Sequence, residues 1–175
     1  DEITGEDRYR KYTSQTPEIQ FGLNGGFQYK GFSLNFFFQG QTRAETYIQP
    51  TSGDYANGPD YVFTMRWTED KKDANFPRAY ERNDYYNTQT SDFWLMDATF
   101  VRLKDLILSY NLPSRWLSSI KFESVRFYVN GSNLWTLDRL NAGLPGKYWD
   151  PEITSSTGYY YPQVTLITAG VNIKL

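Results

Sequence analysis

The residues of this chain best suited to contacting a ligand are aromatic. Trp67, Tyr85, Tyr86, Trp94, Trp149, Tyr159, Tyr160 and Tyr161 fall in polar, turn-rich stretches. Sugar rings present C–H faces that pack on aromatic faces, while phenol and indole groups keep a polar handle. These eight are therefore the candidate ligand contacts. Tyr and Trp also anchor proteins at bilayer interfaces and pack loops, and residue type alone does not separate these uses. A second group is charged: Arg102, Lys104 and Asp105 lie close together in one segment, and Arg126 lies in another. They suit a charged substrate path or, more simply, a network of ion pairs on a rim or a wet inner wall.

Other chemistry is poorly supported. The chain has no Cys and no His, which excludes disulfides, thiolate nucleophiles, Ser-His-Asp triads and ordinary zinc sites within it. Asp1, Glu2, Glu6 and Asp7 offer oxygen ligands for Ca²⁺, but not at the spacing of a known loop, so no metal is expected. With 20 Asp and Glu, carboxylate pairs are abundant. A glycosidase pair needs a set separation across a cleft, which no motif here specifies. Gly25-Gly26 sits inside an extended run and not before a helix, so it does not read as a phosphate cradle. The glycosylation sequon Asn130-Gly131-Ser132 falls within another extended run. The expectation is a non-enzyme without a cofactor.

The elements that must position these residues are extended. Ser91 to Pro113, SDFWLMDATFVRLKDLILSYNLP, ends in an alternation of Leu106, Leu108, Tyr110 and Leu112 with Asp105, Ile107, Ser109 and Asn111. A period of two puts the sets on opposite faces of a strand. Four more segments alternate likewise, giving expected strands at about 18–29, 32–40, 98–112, 124–136 and 162–175. Lys30-Gly31 supplies a tight turn between the first two, since Gly permits positive φ. Ser114 to Ile120 has room for one helical turn. In the fourth strand Phe127 and Val129 should face one way, Tyr128 and Asn130 the other.

The connections alternate short, long, short, long, with long stretches at about 41–96 and 137–161. Transmembrane β-barrels do this, with short periplasmic turns and longer extracellular loops. Composition agrees. There are 12 Phe, 15 Tyr and 5 Trp in a chain with a mean hydropathy of -0.63 and a net charge of -2. That suits aromatic girdles around wet loops and gives no clustered basic surface for nucleic acid. A free-standing glycan-binding β-sandwich shares this composition, but strands of 10 to 14 residues are long for a soluble sheet. No apolar run is long enough for a transmembrane helix, and the N-terminal residues lack the apolar core of a signal peptide. Five strands cannot close a membrane barrel, whose smallest form has about eight. A fragment is expected.

Taken in order, these segments resemble the C-terminal end of the SusC/RagA family of TonB-dependent outer-membrane transporters of Bacteroidetes-type bacteria. The stretches that carry the resemblance are TPEIQFGLNGGFQYKGFSLNFFFQGQ (Thr16 to Gln41), RWTEDKKDANFPRAY (Arg66 to Tyr80), SDFWLMDATFVRLKDLILSYNLP, VRFYVNGSNLWTL (Val125 to Leu137) and GVNIKL (Gly170 to Leu175). Asp70 stands where the family commonly has Asn, and Leu175 where such barrels usually end in an aromatic. The resemblance implies an all-β fold, the last five strands of an antiparallel barrel of about 22 strands. The plug domain and the TonB box would lie outside the chain. It further implies an outer-membrane location and import of a bulky nutrient, an oligosaccharide first and an oligopeptide as the alternative. The implied partners are a SusD-like surface lipoprotein, outer-membrane lipid and, through the missing N-terminal part, the TonB-ExbB-ExbD complex.

Overall fold

The computed structural model describes residues 4–9, 14–49, 60–79, 89–118, 122–144, 146–153 and 163–175. In chain order the elements are β1 (Ile19–Tyr29), β2 (Phe32–Thr42), β3 (Glu45–Tyr47), α1 (Asp60–Thr64), β4 (Leu95–Asp97), β5 (Phe100–Asn111), α2 (Ser114–Leu117), β6 (Ser124–Asp138) and β7 (Leu166–Lys174). The chain divides into two compact units.

One unit is a five-stranded antiparallel sheet in the order β1-β2-β5-β6-β7. Lys30 (φ 47°) and Gly31 (φ 89°) close the β1–β2 hairpin, pairing Tyr29 with Phe32. Both turn residues need positive φ, the geometry that matches the twist of the flanking strands. At the same end α2 forms the single helical turn expected after Pro113.

The register sorts side chains into rows across the sheet. One row reads Tyr29, Phe32, Tyr110, Phe127 and Val171; the next reads Phe27, Leu34, Leu108, Val129 and Ala169; a third reads Gly25, Phe36, Leu106, Gly131 and Ile167. Beyond a disturbance in the ladder come Leu23, Phe38, Leu103 and Trp135, then Phe21, Gly40, Val101 and Leu137. These rows hold no charged side chain. Many of their members are exposed, Tyr29 at 58%, Leu108 at 49% and Val129 at 46%. Open apolar surface on this scale marks a face that meets lipid or another protein. The intervening rows are mostly polar: Gln28, Ser33, Ser109, Tyr128 and Gly170, then Gly26, Asn35, Ile107, Asn130 and Thr168. Phe127 and Val129 thus share the apolar face, with Tyr128 and Asn130 opposite, as the alternation predicts.

Two bulges interrupt the ladder at one level. Lys104 is the extra residue of β5 against Phe37 and Phe38 of β2, and β6 carries one more residue between Ser132 and Trp135. Asn133 there takes a left-handed φ of 52°. The second bulge explains a difference from the sequence reading: β7 begins at Leu166, not at 162. Ladder pairing between β6 and β7 stops at Ser132 and Leu166. Beyond it, side chains take over: Asn133 Nδ2 donates to the Val164 carbonyl (3.2 Å) and Thr165 Oγ1 donates to the Asn133 carbonyl (2.9 Å).

The other unit comprises Asp1–Glu18, Arg43–Thr99 and Arg139–Pro162, as far as these are described. Its β3 pairs with β4. Its core is Ile48, Tyr61, Val62, Met65, Phe76, Trp94, Leu140 and Trp149, supplied by both long connections. Tyr61 is central, with Tyr148, Trp149 and Phe76 rings at 4.3, 5.5 and 5.9 Å. Asn141 holds this cluster in place. Its Oδ1 accepts from the backbone N–H of Tyr148 (2.8 Å) and Trp149 (3.0 Å), and its Nδ2 donates to the Trp149 carbonyl (2.8 Å).

Candidate functional site

The polar face of the sheet is the candidate site. β1, β2 and β5 place there an open depression whose polar-face lining is Asn24, Gly26, Asn35, Phe37, Asp105 and Ile107. Asn35 leans over Gly26 so closely that a Cβ on the glycine would lie 2.7 Å from its Oδ1. Primary amides offer donors and acceptors together, so Asn24 and Asn35 can hydrogen-bond a ligand rich in hydroxyls or amides.

Arg102 and Lys104 converge at one point. Arg102 is 2% exposed, donates from Nη1 to Gln163 Oε1 (2.8 Å) and from Nε to Thr136 Oγ1 (3.0 Å), and sits 5.1 Å from the Phe100 ring centroid. Lys104, re-aimed by its bulge, reaches the same Gln163 Oε1 at 3.4 Å. Asp105 does not pair with them in these contacts; it accepts from Ser132 Oγ (2.9 Å). Arg126 stands near the opposite end of the strands and donates to Ser109 Oγ (2.9 Å). The four residues expected to form one charge network therefore occupy three places, each beside neutral polar partners. The bulge and the strand spacing are the physical reason: Asp105 and Arg126 lie in rows about 20 Å apart at ~3.4 Å per residue. Gln163, the common partner of the two cations, carried no sequence signal because it precedes the alternation of β7.

The aromatic candidates divide. Trp67 is half-buried, and its backbone N–H donates to the Phe76 carbonyl (2.8 Å). Trp94 and Trp149 are 2% and 4% exposed and belong to the hydrophobic core. Their ring faces are covered by protein and not open to a ligand, a correction to the expectation for both. Long connections that fold on themselves bury large apolar groups, and these two indoles supply much of that interior. Tyr85, Tyr86, Tyr159, Tyr160 and Tyr161 lie outside the described residues.

No group of three carboxylates converges as a metal site among the described residues. Asp7 instead closes a capping box, accepting from the backbone N–H of Thr4 (2.7 Å). Asp97 is likewise structural. Burial pushes its carboxyl up, but hydrogen bonds from the side chain and backbone of Thr99 and the Arg139 guanidinium (3.1 Å) outweigh burial and hold it below the usual carboxylate range. Tyr9 Oη donates to Asp92 Oδ2 (2.6 Å), and that bond raises its phenol.

A sheet this long, with one apolar and one polar face, crosses a membrane by its strands; no described helix is long and apolar enough to do so. That makes it part of the wall of an outer-membrane β-barrel. No family model matches the chain. Over 99% of its length it is 30% identical to TonB-dependent receptor P3 of Formosa agariphila, and over 91% it is 26% identical to TonB-dependent receptor P26 of that organism. It spans about a fifth of these relatives, 18% and 17% of their lengths. Among solved structures it is similar to the RagAB peptide transporter, with a TM-score of 0.72 and 25% identity over 98% of this chain and 19% of that one. The RagAB peptide importer in its closed-closed state gives a TM-score of 0.69 at 25% identity, over 98% of this chain and 19% of that one. The chain belongs to the TonB-dependent receptors, of the SusC/RagA type, and corresponds to the C-terminal part of their barrel.

Proposed function

We propose that the protein carrying this chain imports a bulky nutrient across the outer membrane, driven through TonB, with a SusD-like surface lipoprotein as its partner. Likeness to a TonB-dependent receptor along 99% of the chain carries this reading. The chain would then be the last five strands of the barrel, with the plug and the TonB box elsewhere in the protein. The polar face would form part of the lumen wall, and the two long connections would lie outside the cell. An oligosaccharide is the first choice of cargo. The amides of Asn24 and Asn35 in the depression suit hydroxyl-rich molecules, and Trp67, Tyr85, Tyr86, Tyr159, Tyr160 and Tyr161 remain the aromatic candidates to stack on sugar faces. An oligopeptide is the second reading, favoured by the similarity to the RagAB peptide transporter.

Deleting the gene and following uptake of labelled oligosaccharides and oligopeptides tests both readings. Loss of oligosaccharide uptake, reproduced in the parent strain by collapsing the proton gradient, supports the first. Loss of peptide uptake alone moves the cargo to the second. Uptake of both, unchanged by deletion, sinks import altogether.

A further inference from the structure

We infer that the turn end of the apolar face is a binding site for anionic phospholipid headgroups, built on Lys30 and Arg115. Lys30 Nζ lies 5.1 Å from the ring centroid of Tyr29, and the Arg115 guanidinium lies 5.9 Å from that of Trp116. Tyr29 belongs to the apolar face by register, and Tyr29 and Trp116 are 58% and 56% exposed. Each cation is thus held over an open aromatic ring, the combination that suits the boundary between hydrocarbon and headgroups.

The two turns are neighbours. The backbone N–H of Asn111 donates to the Gly31 carbonyl (2.8 Å), so the β1–β2 turn abuts the strand that leads into α2. Exposed Phe32 and Phe127 continue the aromatic row, with a Phe32–Tyr110 ring contact at 4.4 Å. Val125, the first apolar-face residue of β6, is only 6% exposed, and α2 packs against β6.

Charge balance sets Lys30 and Arg115 apart from paired cations at both ends of the sheet. Among the described residues neither Lys30 nor Arg115 has a carboxylate within ion-pair distance. At the loop end Arg43 pairs with Glu18 at 3.0 Å, and at the turn end Lys174 is neutralised by Glu123 at 2.7 Å. Two uncompensated cations beside an aromatic belt attract a phosphate, and the apolar rows behind them accept its acyl chains. Short turns face the periplasm, so the headgroups are those of the periplasmic leaflet. The inference rests on the membrane placement of the sheet and is independent of cargo.

The test uses the intact outer-membrane protein in mixed micelles containing phosphatidylglycerol or phosphatidylethanolamine, with retained lipid counted by native mass spectrometry. Wild type should retain phosphatidylglycerol preferentially. Lys30→Gln or Arg115→Gln should weaken retention about fivefold each, the order expected per basic residue near an anionic surface, and the double variant about 25-fold. Arg43→Gln, at the other end, should retain lipid as wild type does. Heat-modifiable gel mobility reports barrel folding. Should the double variant fail to fold, the charge-keeping pair Lys30→Arg and Arg115→Lys should keep the phosphatidylglycerol preference. Retention unchanged in the folded double variant, an equal loss in Arg43→Gln, or no preference in the charge-keeping pair would overturn the inference.

Discussion

Placing single lysines by depth and face gives a direct test of the membrane register. From the Val125 row at the turn end to the row of Phe21, Gly40, Val101 and Leu137, the apolar face advances five rows. Each row is two residues, about 6.8 Å along a strand. At a tilt of 35–45° that is about 5 Å along the membrane normal. Five rows span about 26 Å, in agreement with an apolar band of ~25 Å. Leu108 lies within about 3 Å of its middle and Leu137 near its edge, by the same spacing. Ile107, adjacent to Leu108, belongs to the polar face with Asn35 and Asn130. Leu108→Lys should therefore destabilise the barrel by ~2–4 kcal/mol, Leu137→Lys by ~0–1 kcal/mol, and Phe127→Lys by an intermediate amount. Ile107→Lys should cost less than Leu108→Lys, because its ammonium stays in water. Equilibrium unfolding by guanidinium in lipid vesicles, with the intact protein, reads these differences. The assigned register is wrong if Ile107→Lys is the more damaging neighbour, and the depth assignment fails if Leu137→Lys matches Leu108→Lys.

Three further outcomes are expected. Gly40→Ala would set a Cβ 2.4 Å from the Phe21 ring and 2.6 Å from the Phe100 carbonyl oxygen. The ring can swing but the ladder oxygen cannot, so the change should cost about 1–3 kcal/mol, while Gly5→Ala, with nothing within 4 Å, should be neutral in the same unfolding assay. Asn141→Ala leaves the Tyr148 and Trp149 N–H groups without their acceptor and should loosen the loop core by ~2–4 kcal/mol, read as faster hydrogen exchange at those amides with sheet amides unchanged. Asp97 has a depressed folded pKa, so its contribution is present above the unfolded value of about 3.9 and is lost as pH falls through the lower folded value. Indole fluorescence should change over that window, and Asp97→Asn should remove the change; a transition that persists in Asp97→Asn refutes the assignment.

The sheet was legible because its information is local. Alternation assigned Phe127, Val129, Leu106 and Leu108 to one face without knowledge of any partner strand, and Lys30-Gly31 specified its turn by backbone preference. The bulges were not legible. Nothing in Leu103-Lys104-Asp105 announces a missing partner residue, since a bulge is a property of two strands together. Trp94 and Trp149 were misread because their burial depends on segments far apart in sequence. Tyr61, Val62 and Met65, at helical spacing, are the one local hint that the first long connection holds a core of its own; the first two lie on the short α1 and Met65 directly follows it.

That shared core has a consequence for how such receptors diversify. Ile48, Tyr61, Val62, Met65, Phe76 and Trp94 of the first connection and Leu140 and Trp149 of the second fill a single interior, clasped by Asn141 from the second connection. A substitution in one connection alters the packing felt by the other. Transplanting either alone onto a related barrel would leave half an interior exposed, whereas the pair can travel together. The two connections therefore constitute one unit of inheritance, and the chemistry they present to the outside should change between relatives in coordinated steps rather than loop by loop.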